Sequence, residues 1–351
     1  MAKGIEIMKG IVVERPGVVC LKDDIPEPRV SPYCAVVENV ACGICNGTDL
    51  KIIDGHFKGF DTYPAVLGHE SVGRVIEVGS KVCSFKKGDY VLRTILDNVG
   101  PRYYSGWGSF SEYGVVYDYQ SMVNDGLEDV NEYYMVQQIV PPDIDPVKGV
   151  MLITLKEVYT GLKSFGVSPE HSLLINGCGP VGLSMVKFAS LMGVRRIFAS
   201  DIDQNRLQKA LSLGAHRIIN PQKDDLEKVI REEEKSGLDV FIDAVGINSL
   251  MNTGLNLVKF NGKIGVYGIS PVCSSQIDWS RAPYNWSIQF VQWPNVRIES
   301  TLHDEVIHFV RQGMIRLTDF VTHVLPLQDF QKGFDIVKNK EGLKVVLLIR
   351  P

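Results

Sequence analysis

What the chain lacks narrows its function first. No apolar run approaches the roughly 20 residues of a membrane span, so no membrane partner is expected. No block of Lys or Arg occurs among 37 basic and 41 acidic residues, and the formal net charge is -4. That balance supplies no electrostatic footprint for nucleic acid. The N-terminal stretch MAKGIEIMKGIVVERPGVV has scattered charges and neither an apolar core nor a small-residue cleavage site. It does not read as a secretory signal, and a cytoplasmic chain is expected. Cysteine is sparse, with 7 in the chain. An odd number without a signal argues for reduced thiols, some of them available as metal ligands. Only one CxxC word exists, Cys42 to Cys45, so a four-cysteine structural cage cannot be completed from such pairs. Cys20, Cys34, Cys83, Cys178 and Cys273 stand isolated and read as small packing residues.

What is present is ample apolar material. At 351 residues and 45% hydrophobic, the chain has the length of about two domains. Up to about residue 150, short β-branched runs broken by glycine (GIVVE, AVVENVA, SVGRVIEVGS, GDYVLR, SEYGVVY) predict a mostly β lobe. From 153 to 290 the text alternates strand, glycine turn and amphipathic helix, which predicts parallel βαβ units. After 290 it offers helix HDEVIHFVRQG, extended FVTHVLPL, helix QDFQKGFDIVKNK and strand LKVVLLI. The residues alone do not decide which lobe this tail joins.

The strand Ser172 to Asn176 runs directly into Gly177, Cys178, Gly179, Pro180, Val181 and Gly182, and then into a helix with apolar Met185, Phe188, Ala189 and Met192. Strand, GxGxxG and helix in that order form a dinucleotide fingerprint. The first glycine turns the chain, the second admits the pyrophosphate, and the third lets helix and strand pack closely. Asp201, ending the next strand, is placed to hold a ribose 2′-hydroxyl and to repel a 2′-phosphate, favouring NAD over NADP. Arg206, five residues on, is read along the following helix near the adenine. Ala244, Val245 and Gly268, at the ends of the strands DVFIDAVG and KIGVYG, complete the candidate coenzyme contacts.

Cys45, His69 and Glu70 offer thiolate, imidazole and carboxylate, a donor set suited to zinc. Taken singly, each reads equally as a core thiol, a buried histidine or a surface carboxylate. Three protein ligands would leave a fourth position open for water or substrate. The words CGIC and GTDLK, GHESVGRVIEVG, KKGDYV and GCGPVGL, with the strand ending in Asp201, resemble the zinc-containing medium-chain dehydrogenase family over essentially the whole chain.

The resemblance implies an α/β protein. A GroES-like, mostly β catalytic domain (1-152 and 291-351) would surround a Rossmann domain with a doubly wound parallel sheet (153-290). It implies one catalytic zinc on Cys45, His69 and Glu70, Asp49 orienting the ligand histidine, and Thr48 passing the substrate proton away. It also implies a small-molecule alcohol or sugar substrate and a homodimer or homotetramer. The expected activity is hydride transfer between NAD(H) and a secondary alcohol, with the polyol branch resembled most. A zinc-independent enone or quinone reductase and a non-catalytic dinucleotide-binding protein are the competing readings.

Several departures from the family pattern bear on the site. Asn46 and Gly47 both stand where the family has one residue, and a bulge at Gly47 is expected to keep Cys45 on the metal. Lys51 replaces a relay histidine and reads as solvated or as a cofactor contact, with His56 an exposed substitute. Residues 93 to 112 carry no cysteine, so no structural zinc is expected there. Tyr103, Tyr104, Trp107 and Phe110 fill that segment, either lining the cleft or packing the loop. Ile153 falls where relatives carry a fourth potential ligand. Glu157, one helical turn later, is either a contributor to the site or an exposed helix carboxylate. Tyr33, Trp107, Tyr119, Trp293 and His303 are the candidate cleft residues.

Overall fold

The structure, a computed structural model, describes residues 6 to 350. The chain forms two compact units, one running to Ile153 and resuming at His303, the other spanning Thr154–Leu302.

In the first unit the alternating apolar runs become two sheets. A 4-stranded sheet has the order Val18–Pro26, Ile7–Arg15, Ala65–Val66, Tyr104–Ser105. A 7-stranded sheet runs Val321–Pro326, Lys344–Leu348, Cys34–Gly43, Glu70–Val78, Tyr90–Leu92, Ile139–Val140, with Tyr113–Tyr117 also on Cys34–Gly43. The late strand Lys344–Leu348 pairs antiparallel with Cys34–Gly43, Val346 opposite Gly43. Backbone pairing across the sheet therefore joins the two ends of the chain in one unit. Phe110, fully buried, packs edge-on to Phe334 of the C-terminal helix Phe330–Lys338, ring centroids 6.1 Å apart.

The second unit holds a 6-stranded, wholly parallel sheet in the order Arg217–Ile219, Arg196–Ser200, Ser172–Asn176, Leu238–Asp243, Val258–Val266, Trp286–Phe290. The chain winds outward on one side of Ser172–Asn176 and returns to wind outward on the other. The strand order thus reverses between Ser172–Asn176 and Leu238–Asp243, which is where doubly wound sheets bind ligands. Every residue of the central strand Ser172–Asn176 is buried, as both-face coverage by helices requires.

The second unit also extends past the expected boundary at 290 to Leu302. It takes in helix Val296–Thr301, whose buried Glu299 lies 3.8 Å from the fully buried Lys156 of helix Met151–Ser164. Removing either partner would leave the other charge buried, so the segment is tied to helix Met151–Ser164 by this contact among others. Two cysteines read as packing residues, Cys83 and Cys273, are instead exposed. Among the described residues no helix is long and apolar enough to cross a membrane.

Candidate functional site

In the first unit the site is built where the chain changes sheets. Ala65–Val66 belongs to the smaller sheet and Glu70–Val78 to the larger one. Gly68 makes the change at φ +104°, and a Cβ there would lie 2.5 Å from the Phe110 backbone nitrogen. Both the backbone angle and the close approach demand glycine, and His69 follows at the crossover. On the neighbouring strand, Ile44 N–H still donates to Val345 at 2.9 Å, after which Cys45 leaves the sheet.

The extra residue after Cys45 is absorbed in a turn over Asn46, Gly47 and Thr48 that enters the short helix Asp49–Ile53, with Asp49 N–H donating to the Cys45 carbonyl at 3.0 Å. No left-handed bulge at Gly47 is involved, since its φ is not among the positive ones. A Cβ at Gly47 would make only ordinary contact with Cys45 Sγ, at 3.7 Å. The expected reason for the glycine is therefore corrected: a helical turn accommodates the insertion.

The donor atoms of Cys45, His69 and Glu70 all lie within 4.8 Å of one another. Asp49, fully buried, serves two of these residues. Its Oδ2 accepts from the Cys45 backbone N–H at 2.9 Å, and its Oδ1 lies 3.3 Å from His69 Nδ1. With Nδ1 turned toward the carboxylate, Nε2 is the ring atom left for a ligand. Burial alone pushes the imidazole down, but the Asp49 charge and hydrogen bonding, with Cys45, carry it well above its ordinary value. Thr48 is buried and caps the short helix without a side-chain hydrogen bond, which leaves its hydroxyl uncommitted to the helix end.

Sequence reading missed Lys344. Its ammonium donates to Glu70 Oε2, and both side chains are nearly fully buried. The register explains the meeting, for Gly43 stands between Glu70 on one side and Val346 on the other. A Cβ at Gly43 would fall 2.8 Å from Glu70 Oε2 and 3.2 Å from Lys344 Cδ. Gly43, in the quoted CGIC word, was the available signal. Burial raises the Glu70 carboxyl, while Lys344, His69 and Arg93 outweigh it and hold the group below the ordinary carboxylate range.

Lys51 is half-buried rather than fully solvated, and burial pushes its ammonium down, partly offset by Cys45. His56 is exposed. The four aromatics of the shortened segment divide. Tyr103 is buried and bonds Asp24, Phe110 is core, and Tyr104 is exposed with its edge toward Phe60. Trp107 alone of the four is placed against the His69 ring, centroids 5.3 Å apart. Of the other candidate cleft residues, Tyr33 bonds Asp125 on the exposed surface and His303 Nε2 lies 2.9 Å from the Ile139 carbonyl. Tyr119 opens the helix Tyr119–Asn124, and Trp293 is exposed in the second unit.

In the second unit the glycine turn follows its physical script. Gly177 has φ +101° and Gly179 precedes helix Pro180–Leu191 as its N-cap. A Cβ at Gly182 would sit 1.7 Å from the Gly177 carbonyl oxygen, so the helix can pack on the turn only with glycine there. A Cβ at Gly179 would meet nothing within 4 Å. Open space in front of a helix N-terminus suits an anionic ligand. Asp201 Oδ2 accepts from Cys178 N–H at 2.6 Å and Oδ1 from Asp203 N–H at 2.9 Å, fixing its carboxylate across the strand ends. Burial and then Asp201 raise the Cys178 thiol, with the Arg206 charge acting against them.

Asp243, also missed in sequence, accepts from Val245 and Gly246 N–H at 2.8 and 3.0 Å and shapes the turn after its strand. A Cβ on Gly177 would press on Val245 at 2.5 Å, and one on Gly268 would fall 2.1 Å from Gly246 N. Gly177, Ala244, Val245 and Gly268 are thus brought together. Glu157 is half-buried on helix Met151–Ser164 and lies in the second unit.

Comparison with known proteins agrees with this division. A family model described as "Alcohol dehydrogenase GroES-like domain" matches residues 31–124, and one described as "Zinc-binding dehydrogenase" matches 180–293. The chain is 29% identical to the L-threonine 3-dehydrogenase of Symbiobacterium thermophilum, over 98% of each chain. It is 27% identical to the erythritol/L-threitol dehydrogenase of Mycolicibacterium smegmatis, again over 98% of each. Among solved structures, the alcohol dehydrogenase TADH from Thermus sp. ATN1 superimposes with a TM-score of 0.81 at 26% identity, covering 98% of this chain and 100% of that one.

Proposed function

The chain belongs to the zinc-containing medium-chain dehydrogenase family, and on that premise we propose that it moves hydride between NAD(H) and a secondary alcohol or ketone, with a polyol, sugar or cyclitol as substrate. Its class, an alcohol or polyol dehydrogenase, follows from relatives that match it end to end. The observation carrying the finer reading is the convergence of Cys45, His69 and Glu70 within 4.8 Å, braced by Asp49.

The family implies zinc and an NAD(P) coenzyme, and the residues present fit both groups. Thiolate, imidazole and carboxylate are zinc donors, and Gly179 leaves open space at a helix N-terminus. Cys45, His69 and Glu70 would hold the metal, which supplies Lewis acidity that lowers the pKa of an alcohol hydroxyl. The glycine turn Gly177, Gly179 and Gly182 with Asp201 would hold the coenzyme, which would supply the hydride acceptor for the alcohol carbon.

The chain's own residues do the rest. Asp49 fixes the His69 ring and the Cys45 backbone with one carboxylate, so both donors face inward together. The Thr48 hydroxyl, which no helix-cap bond occupies, passes the substrate proton away, accepting the substrate hydroxyl's hydrogen on its oxygen while releasing its own toward solvent. The glycine turn takes the pyrophosphate on backbone at the start of Pro180–Leu191, and the Asp201 carboxylate selects an unphosphorylated ribose, hence NAD. One zinc is assigned, because residues 93 to 112 carry no cysteine for a second. On the same family grounds we assign a homodimer or homotetramer, which sedimentation reads directly.

Elemental analysis of the purified chain is expected to give about one zinc, and NAD with polyols or sugars at alkaline pH to raise the NADH absorbance. Zinc-free protein that turns over no alcohol overturns the proposal.

A further inference from the structure

Trp107 sits in a backbone conformation that a tryptophan rarely adopts. Its φ is +66°, in the left-handed region, while a glycine stands on either side of it. A bulky residue in that region is a genuine outlier, and such strain persists only where the surroundings over-determine it. They do so here. Gly106 N–H donates to Val66 at 2.8 Å, Trp107 accepts from Leu96 N–H at 2.7 Å, and Ser109 and Phe110 N–H donate to Gly68 and Leu67 at 2.9 and 2.8 Å. This strap is zipped to the segment that ends in His69. Neither flanking glycine can trade places with the tryptophan: a Cβ on Gly106 would fall 2.7 Å from Leu67 Cδ2, and one on Gly108 2.4 Å from Leu96 Cβ.

Packing alone does not account for an indole at this point. The strap is anchored in the core by Phe110, which is fully buried, whereas Trp107 packs on the same core only in part. The ring instead lies beside His69, centroids 5.3 Å apart and planes inclined by 52°. Resting on the reading of Cys45, His69 and Glu70 as the place of alcohol oxidation, we propose that Trp107 is the specificity-determining residue, its indole taking the C–H face of a polyhydroxylated carbon skeleton.

The chemistry of the neighbourhood favours that substrate class over a plain aliphatic alcohol. An aromatic face offers a flat apolar surface to aligned C–H bonds. Thr48, whose hydroxyl makes no cap bond, and Lys51, half-buried with Cys45 among the charges acting on it, offer polar groups to hydroxyls on the remaining edges. A cyclic or extended polyol presents both characters at once, and a three-carbon alcohol is too small to cover the ring.

The test compares the zinc-loaded wild type with Trp107→Phe and Trp107→Gly, using myo-inositol, sorbitol and isopropanol. Glycine accepts this φ without strain, so the glycine variant keeps the backbone while losing the ring. For Trp107→Gly the KM for the two polyols is expected to rise about tenfold with kcat nearly unchanged, the KM for isopropanol to stay near wild type, and Trp107→Phe to fall between. Independently of turnover, titrating myo-inositol into the NADH-loaded wild type is expected to change tryptophan emission, and Trp107→Phe to lose that change. The proposal is overturned if KM moves equally for all three alcohols or for none. A fall in kcat together with zinc content also overturns it, since the ring then merely props His69. If the wild type oxidises none of the three, the dehydrogenase reading fails for these probes, and the emission titration still decides whether Trp107 meets a polyol.

Discussion

The glycine turn of the second unit takes its bracing carboxylate from nearby in the chain, whereas the donor cluster of the first takes its countercharge from the far end. Gly177 to Gly182 and Asp201 lie close in sequence, the Cys178 and Asp201 partners being 23 residues apart. Cys45, His69 and Glu70 also fall within one short stretch, just past a strand end, at a crossover and at a strand start, but the cation that pairs with Glu70 lies 274 residues away. A local motif is written in one stretch of sequence and tolerates changes elsewhere. A cluster closed by long-range strand pairing depends on the whole sheet around it.

The sharpest way to break that contrast is Lys344→Met. The substitution leaves the Glu70 carboxylate buried without its cation, and removal of one partner from a buried pair costs about 3 to 5 kcal/mol. Urea unfolding should show the loss in the first unit, with zinc content lowered and NADH binding in the second unit retained. Unchanged stability would mean that Glu70 finds another countercharge, and the long-range closure would lose its importance.

Gly182→Ala strikes the other region. Its Cβ would sit 1.7 Å from a carbonyl oxygen, and backbone cannot yield as a flexible side chain does. We expect destabilisation of about 3 kcal/mol, the upper end for overpacking, with NADH binding abolished and zinc retained. Gly179→Ala makes the internal control, because open space receives its methyl and stability should hold while pyrophosphate binding weakens. Equal stability losses in the two variants would refute the distinct roles of these glycines.

The same contrast explains what the sequence disclosed. Strand, GxGxxG, helix and Asp201 could be read directly because adjacency in sequence is adjacency in the parallel sheet. GHE and CGIC pointed to His69, Glu70 and Cys45 as residues, and Asp49 followed from the family pattern. Lys344 could not be read, since nothing in LKVVLLI says that its strand pairs with Cys34–Gly43. Gly43 was visible, but its reason, room for Glu70 and Lys344, exists only in the register. Asp243 escaped notice because its task is to hold the turn at Val245 and Gly246, which leaves no periodic trace. Helices Leu226–Glu233 and Leu250–Leu257 lay in stretches where polar composition and glycine weakened the helical pattern.

Within the first unit, Asp118 provides a local counterpart to Glu70. It is almost wholly buried, yet its partners lie at most 35 residues away and donate chiefly through backbone N–H, where Glu70 relies on a remote ammonium. Ser121 N–H, with Cys83 and Ser84 N–H at 2.7 Å each, donates to it. Burial raises the carboxyl, but these donors outweigh it and bring the pKa down to about 2 from 3.8. A depressed folded-state pKa contributes stability that is complete above the unfolded value and fades as pH falls through the folded one. Asp118→Asn should therefore cost about 2 kcal/mol at pH 7. The difference from wild type should narrow between about pH 4 and pH 2. A difference independent of pH across that window would place the effect in shape rather than charge.

The smallest effect tests how far the coenzyme turn's local design extends to selectivity. Asp201 both braces the turn, through Cys178 and Asp203 N–H, and presents its charge at the strand ends. Asp201→Asn keeps an oxygen acceptor and removes the charge, which separates the two duties. Repulsion between a carboxylate and a 2′-phosphate at partial solvent exposure is a matter of about one power of ten in affinity. The ratio of NADPH to NADH dissociation constants, measured by coenzyme fluorescence, should therefore fall about tenfold toward unity while zinc content stays at the wild-type level. If the ratio does not move, the carboxylate serves the turn alone, and selectivity must lie with groups beyond it such as Arg206. Selectivity would then rest on a second group of the same stretch, five residues along from Asp201.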